Sequence, residues 1–132
     1  MNKLRLGVVG VGSVVREIYQ HLYFRSDYSG LLDVTAVADP NEQCRNWFCD
    51  THHIPAERRF TDYRDMLAKV ELDAVQVNTP DHIHAAPAIA ALEAGLDVMV
   101  PKPTAATVKD AHAMIETART TGRLMEIGRA HV

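Results

Sequence analysis

The feature that most constrains the fold is a regular alternation of short apolar runs with longer helical segments. The runs LRLGVVG, DVTAVAD, DAVQVN and DVMV are apolar along most of their length and do not alternate strictly between polar and apolar positions. This pattern is typical of strands that are buried on both faces of a parallel sheet. Because helices separate the strands, the sequence predicts an α/β fold: a doubly wound parallel sheet in three layers, αβα.

Helix signals in the first half of the chain support this alternation. Val14, Ile18 and Leu22 recur every four residues in SVVREIYQHLYF and predict one apolar helical face. The segment NEQCRNWFCDTH is helical in composition. Thr61 or Asp62 is placed to cap a short helix in FTDYRDMLAK.

Two more helices and a last strand follow. HAAPAIAALEAG predicts a helix that is closed by Gly95 and that accepts Pro87 near its first turn. TVKDAHAMIETARTTG predicts another, with Thr107 and Asp110 as a capping-box-like start and Gly122 at the end. RLMEI predicts one more strand, so we interpret the whole chain as one domain.

Size, charge and cysteine content exclude several classes of protein. A chain of 132 residues is long enough to bury one core, and its net charge of -3 with scattered basic residues argues against a nucleic-acid partner. No apolar stretch approaches the ~18–20 residues needed to cross a membrane, and no signal peptide is evident. Cys44 and Cys49 form neither a disulfide framework nor a Cys-x-x-Cys motif, so we expect free thiols and a cytoplasmic protein.

The first strand leads into GVGSVV, a glycine-containing turn at the edge of the sheet where ligands bind. Gly10 and Gly12 fill two positions of a dinucleotide-binding motif, where they permit a tight turn and a close approach of the backbone to a pyrophosphate. The following helix would attract that anion through its free N–H groups. We predict cofactor contacts from five residues: Gly10, Gly12, Ser13, Val14 and Val15. Val15 stands where Gly or Ala usually allows close helix–strand packing, and a purely structural turn is the alternative.

The second strand ends in Asp39, which is followed by Pro40. An acidic residue at this position can accept hydrogen bonds from both ribose hydroxyls of the adenosine half of NAD, and it would repel the 2′-phosphate of NADP. Asp39 and Pro40 are therefore predicted cofactor-binding residues. The alternative is that Asp39 caps a helix or stabilises a turn.

The predicted strand DAVQVN leads into NTPDHIH. Asn78, Thr79 and Pro80 form a polar turn, and we predict that they line the cofactor groove together with His82 and His84. A metal site at the two histidines is the alternative. We favour the groove because no third ligand lies at a suitable spacing.

The predicted strand DVMV is followed by VPKPTA, in which Lys102 lies between two prolines. Proline restricts both its own backbone and that of the preceding residue, so the Lys102 backbone is held stiffly. An amine held in this way can bind a substrate hydroxyl or a cofactor ribose. A surface lysine in a proline-rich turn is the alternative.

Together these segments resemble the amino-terminal domain of the Gfo/Idh/MocA oxidoreductase family, a Rossmann-type NAD(P)-binding domain. The similarity runs from the first strand to about Glu126, through LGVVGVGSVV, VADP, GRLMEIG and above all DAVQVNTPDHIHAAPAIAALEAGLDVMVPKPTAATVKDA.

The resemblance implies an NAD(P)-dependent oxidation of a secondary alcohol on a sugar, inositol or related polyol. The family has a Glu-Lys-Pro triplet whose lysine contacts the nicotinamide ribose and the reacting oxygen. Lys102 and Pro103 match it, whereas Pro101 replaces the glutamate. Lys102 is thus the expected catalytic residue and NAD the expected cofactor. The family also has a second domain, which supplies the substrate pocket and most oligomer contacts and is absent from this sequence.

The last residues have an unusual interpretation. The codons ATC GGA AGA GCA CAC GTC TGA encode Ile-Gly-Arg-Ala-His-Val and a stop, and they match the start of a short-read sequencing adapter. We therefore expect residues 1–126 to form the Rossmann domain and residues 127–132 to be a non-native tail.

Two other functions stay open. One is a stand-alone, non-catalytic NAD-binding or regulatory module, favoured by the short length and by Pro101. The other, which we favour less, is a metal-dependent hydrolase that uses His82 and His84.

Overall fold

Six parallel strands form a single sheet in the computed structural model, which describes residues 3–12, 15, 24, 31–79, 85–101 and 107–128. The strands of this part of the chain are β1 (Leu4–Val9), β2 (Leu32–Ala38), β3 (Arg59–Phe60), β4 (Ala74–Val77), β5 (Asp97–Pro101) and β6 (Met125–Gly128). Their order is β3-β2-β1-β4-β5-β6, and every neighbouring pair is parallel. The order reverses between β1 and β4, where a doubly wound sheet opens a crevice for ligands. The predicted doubly wound parallel sheet is confirmed.

Four α-helices lie in the described part of the chain: α1 (Glu42–Thr51), α2 (Tyr63–Lys69), α3 (Ala85–Glu93) and α4 (Val108–Thr121). The predicted caps are present. Asp62 accepts a hydrogen bond from the backbone of Arg64, and Thr107 accepts one from the backbone of Asp110. Gly122 ends α4 in the left-handed conformation, with φ +71°. The helix predicted in SVVREIYQHLYF lies outside the described residues, except for Val15 and Phe24.

Two apolar clusters cover the two faces of the sheet. The larger one joins the strands to α2, α3 and α4 through Met66, Leu92 and Met114. The smaller one joins the opposite face to α1 through Phe48 and Cys49. Helices therefore pack on both faces, which gives the predicted three-layer arrangement and leaves the carboxyl ends of the strands at one common edge.

The two-residue strand β3 differs from the sequence-based expectation, which placed Phe60 at the start of a helical segment. The backbone N–H of Asp39 donates to the carbonyl oxygen of Phe60 at 3.0 Å, and Ala38 pairs with Phe60 in the β2–β3 register. A pattern of two residues is too short to reveal a strand. Its consequence is that the loop before α2 lies beside the end of β2.

The last strand continues past the predicted domain end at residue 126. In the β5–β6 register, Val100 pairs with Ile127 and Pro101 pairs with Gly128. The backbone of the first two residues of the predicted tail thus belongs to the sheet.

Candidate functional site

Gly10 lies between the carboxyl ends of β2 and β4, at the reversal in strand order. Its N–H donates to the carbonyl oxygen of Ala38 at 2.8 Å, and its φ is +91°. A Cβ atom on Gly10 would lie 3.0 Å from the carbonyl carbon of Asn78 and 3.1 Å from the backbone nitrogen of Thr79. Glycine is therefore required here both by the left-handed backbone and by the close approach of a neighbouring chain segment.

Gly12, two residues later, differs from Gly10 because neither its backbone conformation nor a neighbouring atom requires glycine. A Cβ atom at Gly12 would have no atom within 4 Å, and its φ lies outside the left-handed range. The backbone at this position consequently borders open space at the ligand-binding edge. An arrangement of this kind lets a ligand approach the main chain closely.

Asp39 connects the glycine turn to the start of α1. It is 8% exposed; one carboxylate oxygen accepts from the backbone N–H of Val11 at 2.8 Å, and the other accepts from the backbone N–H of Asn41 at 2.8 Å. An ionised carboxylate has about four lone-pair sites, so each oxygen can accept one more hydrogen bond. The carboxylate is thus held in a fixed orientation and keeps capacity for a ligand hydroxyl.

The residues that support Asp39 were not singled out from the sequence. Asn41, not Asp39, is the N-cap of α1, since its side chain accepts from the backbone N–H of Cys44 at 3.0 Å. Arg45 donates from its guanidinium to the carbonyl oxygen of Asp39 at 2.7 Å. A capping Asn before a helical segment was a usable signal for Asn41, whereas nothing local indicated the role of Arg45.

Asn78 connects β1 and β4 at the same edge. Its backbone N–H donates to the carbonyl oxygen of Val9 at 2.7 Å, and its side-chain amide lies 3.4 Å from the carbonyl oxygen of Gly10. The buried Gln76 donates from its side-chain amide to the side-chain oxygen of Asn78 at 3.2 Å, and this hydrogen bond helps to hold the Asn78 side chain in place. Sequence reasoning predicted Asn78 and missed Gln76, because a polar residue within a strand gives no sign of the direction in which it points.

A cavity of about 410 Å³ opens next to Asp39, a volume within the range of small-molecule pockets. Its wall is largely apolar and includes the predicted cofactor-binding residues Pro40 and Thr79. The lining residues are Val9, Ala38, Pro40, Thr61, Asp62, Tyr63, Arg64, Thr79, Ala86 and Pro87. The contribution of the β3–α2 loop was not expected, because it depends on the two-residue strand that brings this loop beside β2.

Several predicted site residues lie outside the described part of the chain: Ser13, Val14, Pro80, His82, His84 and Lys102. Val15 is described, and its side chain is fully buried in the cluster with Val8 and Val11, so this side chain packs in the core. The described residues include no group of three or more His, Cys, Asp or Glu side chains placed to hold a metal ion. None of the described helices is both long and apolar enough to cross a membrane.

The fold and this edge define a nucleotide-binding domain of the Rossmann class. Residues 4–129 match the family GFO_IDH_MocA, described as an oxidoreductase family with an NAD-binding Rossmann fold. The chain therefore belongs to the Gfo/Idh/MocA oxidoreductase family and corresponds to its NAD-binding domain.

Named relatives agree with this assignment. The chain is 31% identical to the D-glucoside 3-dehydrogenase of Escherichia coli (strain K12), over 92% of this chain and 33% of that protein. It is 32% identical to the inositol 2-dehydrogenase/D-chiro-inositol 3-dehydrogenase of Shouchella clausii (strain KSM-K16), over 95% of this chain and 35% of that protein. The chain thus spans about a third of the length of these relatives.

Solved structures share the fold. The WlbA dehydrogenase from Bordetella pertussis, crystallised with NADH and UDP-GlcNAcA, superposes with a TM-score of 0.84 at 25% identity. The match covers 96% of this chain and 37% of that chain.

Proposed function

We propose that this chain is the cofactor-binding part of an NAD-dependent dehydrogenase that oxidises a secondary alcohol of a sugar, inositol or related polyol. The observation that supports the proposal most directly is the Asp39 carboxylate. It lies at the end of β2 and is bonded to the glycine turn through Val11. A dinucleotide at this edge would have its ribose beside Asp39 and its pyrophosphate beside the turn.

The adenosine half of NAD fits the described residues. The remaining lone pairs of the Asp39 oxygens suit the two ribose hydroxyls, and the adjacent apolar cavity suits a flat base. A 2′-phosphate on the ribose would face a buried carboxylate, which favours NAD over NADP. The open space at Gly12 leaves room for the pyrophosphate against the main chain.

In the dehydrogenase reaction, the bound nicotinamide supplies a hydride acceptor. Lys102 is the expected residue beside the reacting oxygen, where an ammonium group would orient the substrate hydroxyl and stabilise charge on its oxygen. Pro101, at the end of β5, stands where the family has a glutamate. Without that carboxylate, Lys102 would lack an acidic neighbour in the preceding position.

Cofactor binding and turnover are separate parts of the proposal. The whole dehydrogenase is the proposed catalyst, because the relatives are about three times as long as this chain. We propose that the chain alone binds NAD and turns over no alcohol, since the groups that surround the substrate and exclude water lie elsewhere. The alternative, a stand-alone NAD-binding or regulatory module, is favoured by Pro101 in the glutamate position.

Calorimetric titration with NAD and NADP tests the cofactor assignment. We expect saturable binding of NAD, weaker binding of NADP, and a loss of this preference in Asp39→Ala. Asp65→Ala is a suitable control because Asp65 is exposed on α2 and does not line the cavity. An absence of saturable binding even at millimolar NAD would contradict both the dehydrogenase and the binding-module proposals.

The uninterrupted gene separates those two proposals. A continuation of roughly the length of a second domain supports the dehydrogenase. A genuine stop codon after residue 132 in genomic DNA supports the binding module. Other codons for residues 127–132 would contradict the adapter interpretation of the tail.

A further inference from the structure

Arg64 lines the cavity beside Asp39 and lies in the first turn of α2, in a segment to which the sequence suggested only a capping role. Thr61, Asp62, Tyr63 and Arg64 together form one side of this cavity. The sheet edge at Val9 and Ala38 and the start of α3 also line the cavity. A ligand in the cavity would therefore lie between the sheet edge and the segment that joins β3 to the first turn of α2.

Two contacts restrain the Arg64 side chain, although it is 72% exposed. Its guanidinium carbon lies 5.2 Å from the centroid of the Tyr63 ring, which is within the range of a cation–π interaction. One guanidinium nitrogen lies 3.4 Å from a carboxylate oxygen of Asp62, and the backbone N–H of Arg64 donates to the other oxygen at 2.8 Å. The planar group is thus held next to the cavity by both of its preceding neighbours.

We propose that Arg64 packs its guanidinium plane against the adenine base of the bound dinucleotide and positions that base in the cavity. This inference rests on the proposed function. A guanidinium is planar and weakly hydrated, and it stacks well on aromatic faces. The rest of the wall offers apolar surface from Val9, Ala38, Pro40 and Pro87, and a purine needs such surface on its faces.

The surroundings of Arg64 favour a base over a phosphate group. Asp62 already pairs with the guanidinium, so a phosphate bound there would meet a carboxylate at close range. Stacking on a base leaves the ion pair between Arg64 and Asp62 intact. The base would contact the face of the guanidinium, whereas Asp62 pairs with an N–H group at the edge of the guanidinium. Arg64 is therefore a base-stacking residue, and Asp39 is the group that discriminates at the ribose.

Titrations of NAD and AMP into wild type, Arg64→Ala and Arg64→Lys test this role. AMP contains the base and ribose but no nicotinamide, so both ligands should lose affinity by the same factor in Arg64→Ala, about five- to tenfold. The affinities of Arg64→Lys should lie between those of wild type and Arg64→Ala, because lysine keeps the positive charge but has no planar group. Arg119→Ala is the matched control: Arg119 is 71% exposed, pairs with Glu116 on α4 and does not line the cavity.

The possible outcomes distinguish this inference from the proposed function. Wild type that binds neither ligand contradicts the proposed function itself. Wild-type binding with unchanged affinities in Arg64→Ala overturns only the role of Arg64, and so does a loss of NAD affinity with AMP affinity unchanged. Melting temperatures equal to wild type within a few degrees confirm that each variant is folded, and Arg64→Lys serves as the test if Arg64→Ala is not.

Discussion

The carboxylate of Asp39 accepts a hydrogen bond from the backbone N–H of Val11, which lies 28 residues earlier in the chain, at 2.8 Å. This contact joins the end of β2, where we propose that the ribose binds, to the glycine turn after β1. Because the second carboxylate oxygen is bonded to the backbone of Asn41, Asp39 also fixes the start of α1. One side chain therefore has a structural role in addition to its proposed role in cofactor binding.

The first prediction separates these two roles of Asp39. Asp39→Ala leaves two backbone N–H groups without their charged acceptor, and we expect it to lower the free energy of unfolding by about 2–3 kcal/mol. Asp39→Asn keeps one acceptor oxygen and should lose about half as much. Urea unfolding followed by circular dichroism measures both changes. Equal, small losses in the two variants would show that the carboxylate contributes little to the fold.

The second prediction concerns the two free thiols. Burial raises the pKa of the Cys49 thiol to about 11, and the nearby charge of Arg59 offsets this only in part. Thiolate is the reactive form, so Cys49 should be inert at pH 8 in the folded protein, whereas the half-buried Cys44 should react. An Ellman titration should give one reactive thiol in native protein and two in urea. Cys44→Ser should abolish the native signal, and rapid labelling of this variant without denaturant would contradict the burial of Cys49.

The third prediction concerns acid stability at the other end of the sheet. Arg5 donates to both carboxylate oxygens of Asp73, and these hydrogen bonds lower the pKa of Asp73 below its usual value. A carboxyl group with a lowered folded-state pKa stabilises the fold above its unfolded pKa of ~3.9, and this contribution disappears as the pH falls through the lower folded pKa.

Asp73→Asn should therefore destabilise the protein at pH 6 and have little effect near pH 2. Because the two side chains are 44% and 37% exposed, the difference should stay below about 1 kcal/mol. Unfolding free energies of wild type and variant between pH 2 and 6 give the result. A constant difference across this range would mean that the charge of Asp73 is not the stabilising factor.

Local sequence signals predicted much of the fold. Apolar runs predicted five of the six described strands. Thr107 caps a helix with its side chain, and Gly95 and Gly122 follow helix ends with positive φ, as the sequence predicted. These features depend on neighbouring residues, so a pattern of a few residues is enough to predict them. The strand β3 was missed because it pairs only two residues with β2.

The site was only partly predictable, for a related reason. Gly10, Asp39 and Asn78 follow strands, and the carboxyl ends of parallel strands must meet at one edge. Arg45 and Gln76 act on these residues through contacts that only the folded chain creates. No local pattern distinguishes either of them from an ordinary helical arginine or strand glutamine.

The fourth prediction compares alanine substitutions at the two glycines of the turn. Gly10→Ala places a Cβ atom 3.0 Å from the carbonyl carbon of Asn78 in a left-handed backbone conformation, and we expect a loss of stability of about 1–3 kcal/mol. Gly12→Ala meets no atom within 4 Å and needs no left-handed backbone, so its stability should stay the same or rise by about 0.4–1 kcal/mol, through a less flexible unfolded chain.

NAD affinity should follow a different order from stability. Gly12→Ala fills space that we assign to the pyrophosphate, so this variant should be folded, with an unchanged or higher melting temperature, and should bind NAD at least tenfold more weakly. Thermal unfolding and calorimetric titration of the same samples measure the two quantities independently. A stable Gly12→Ala protein with wild-type NAD affinity would place the pyrophosphate elsewhere, because a methyl group in its path cannot leave its contacts with the main chain unchanged.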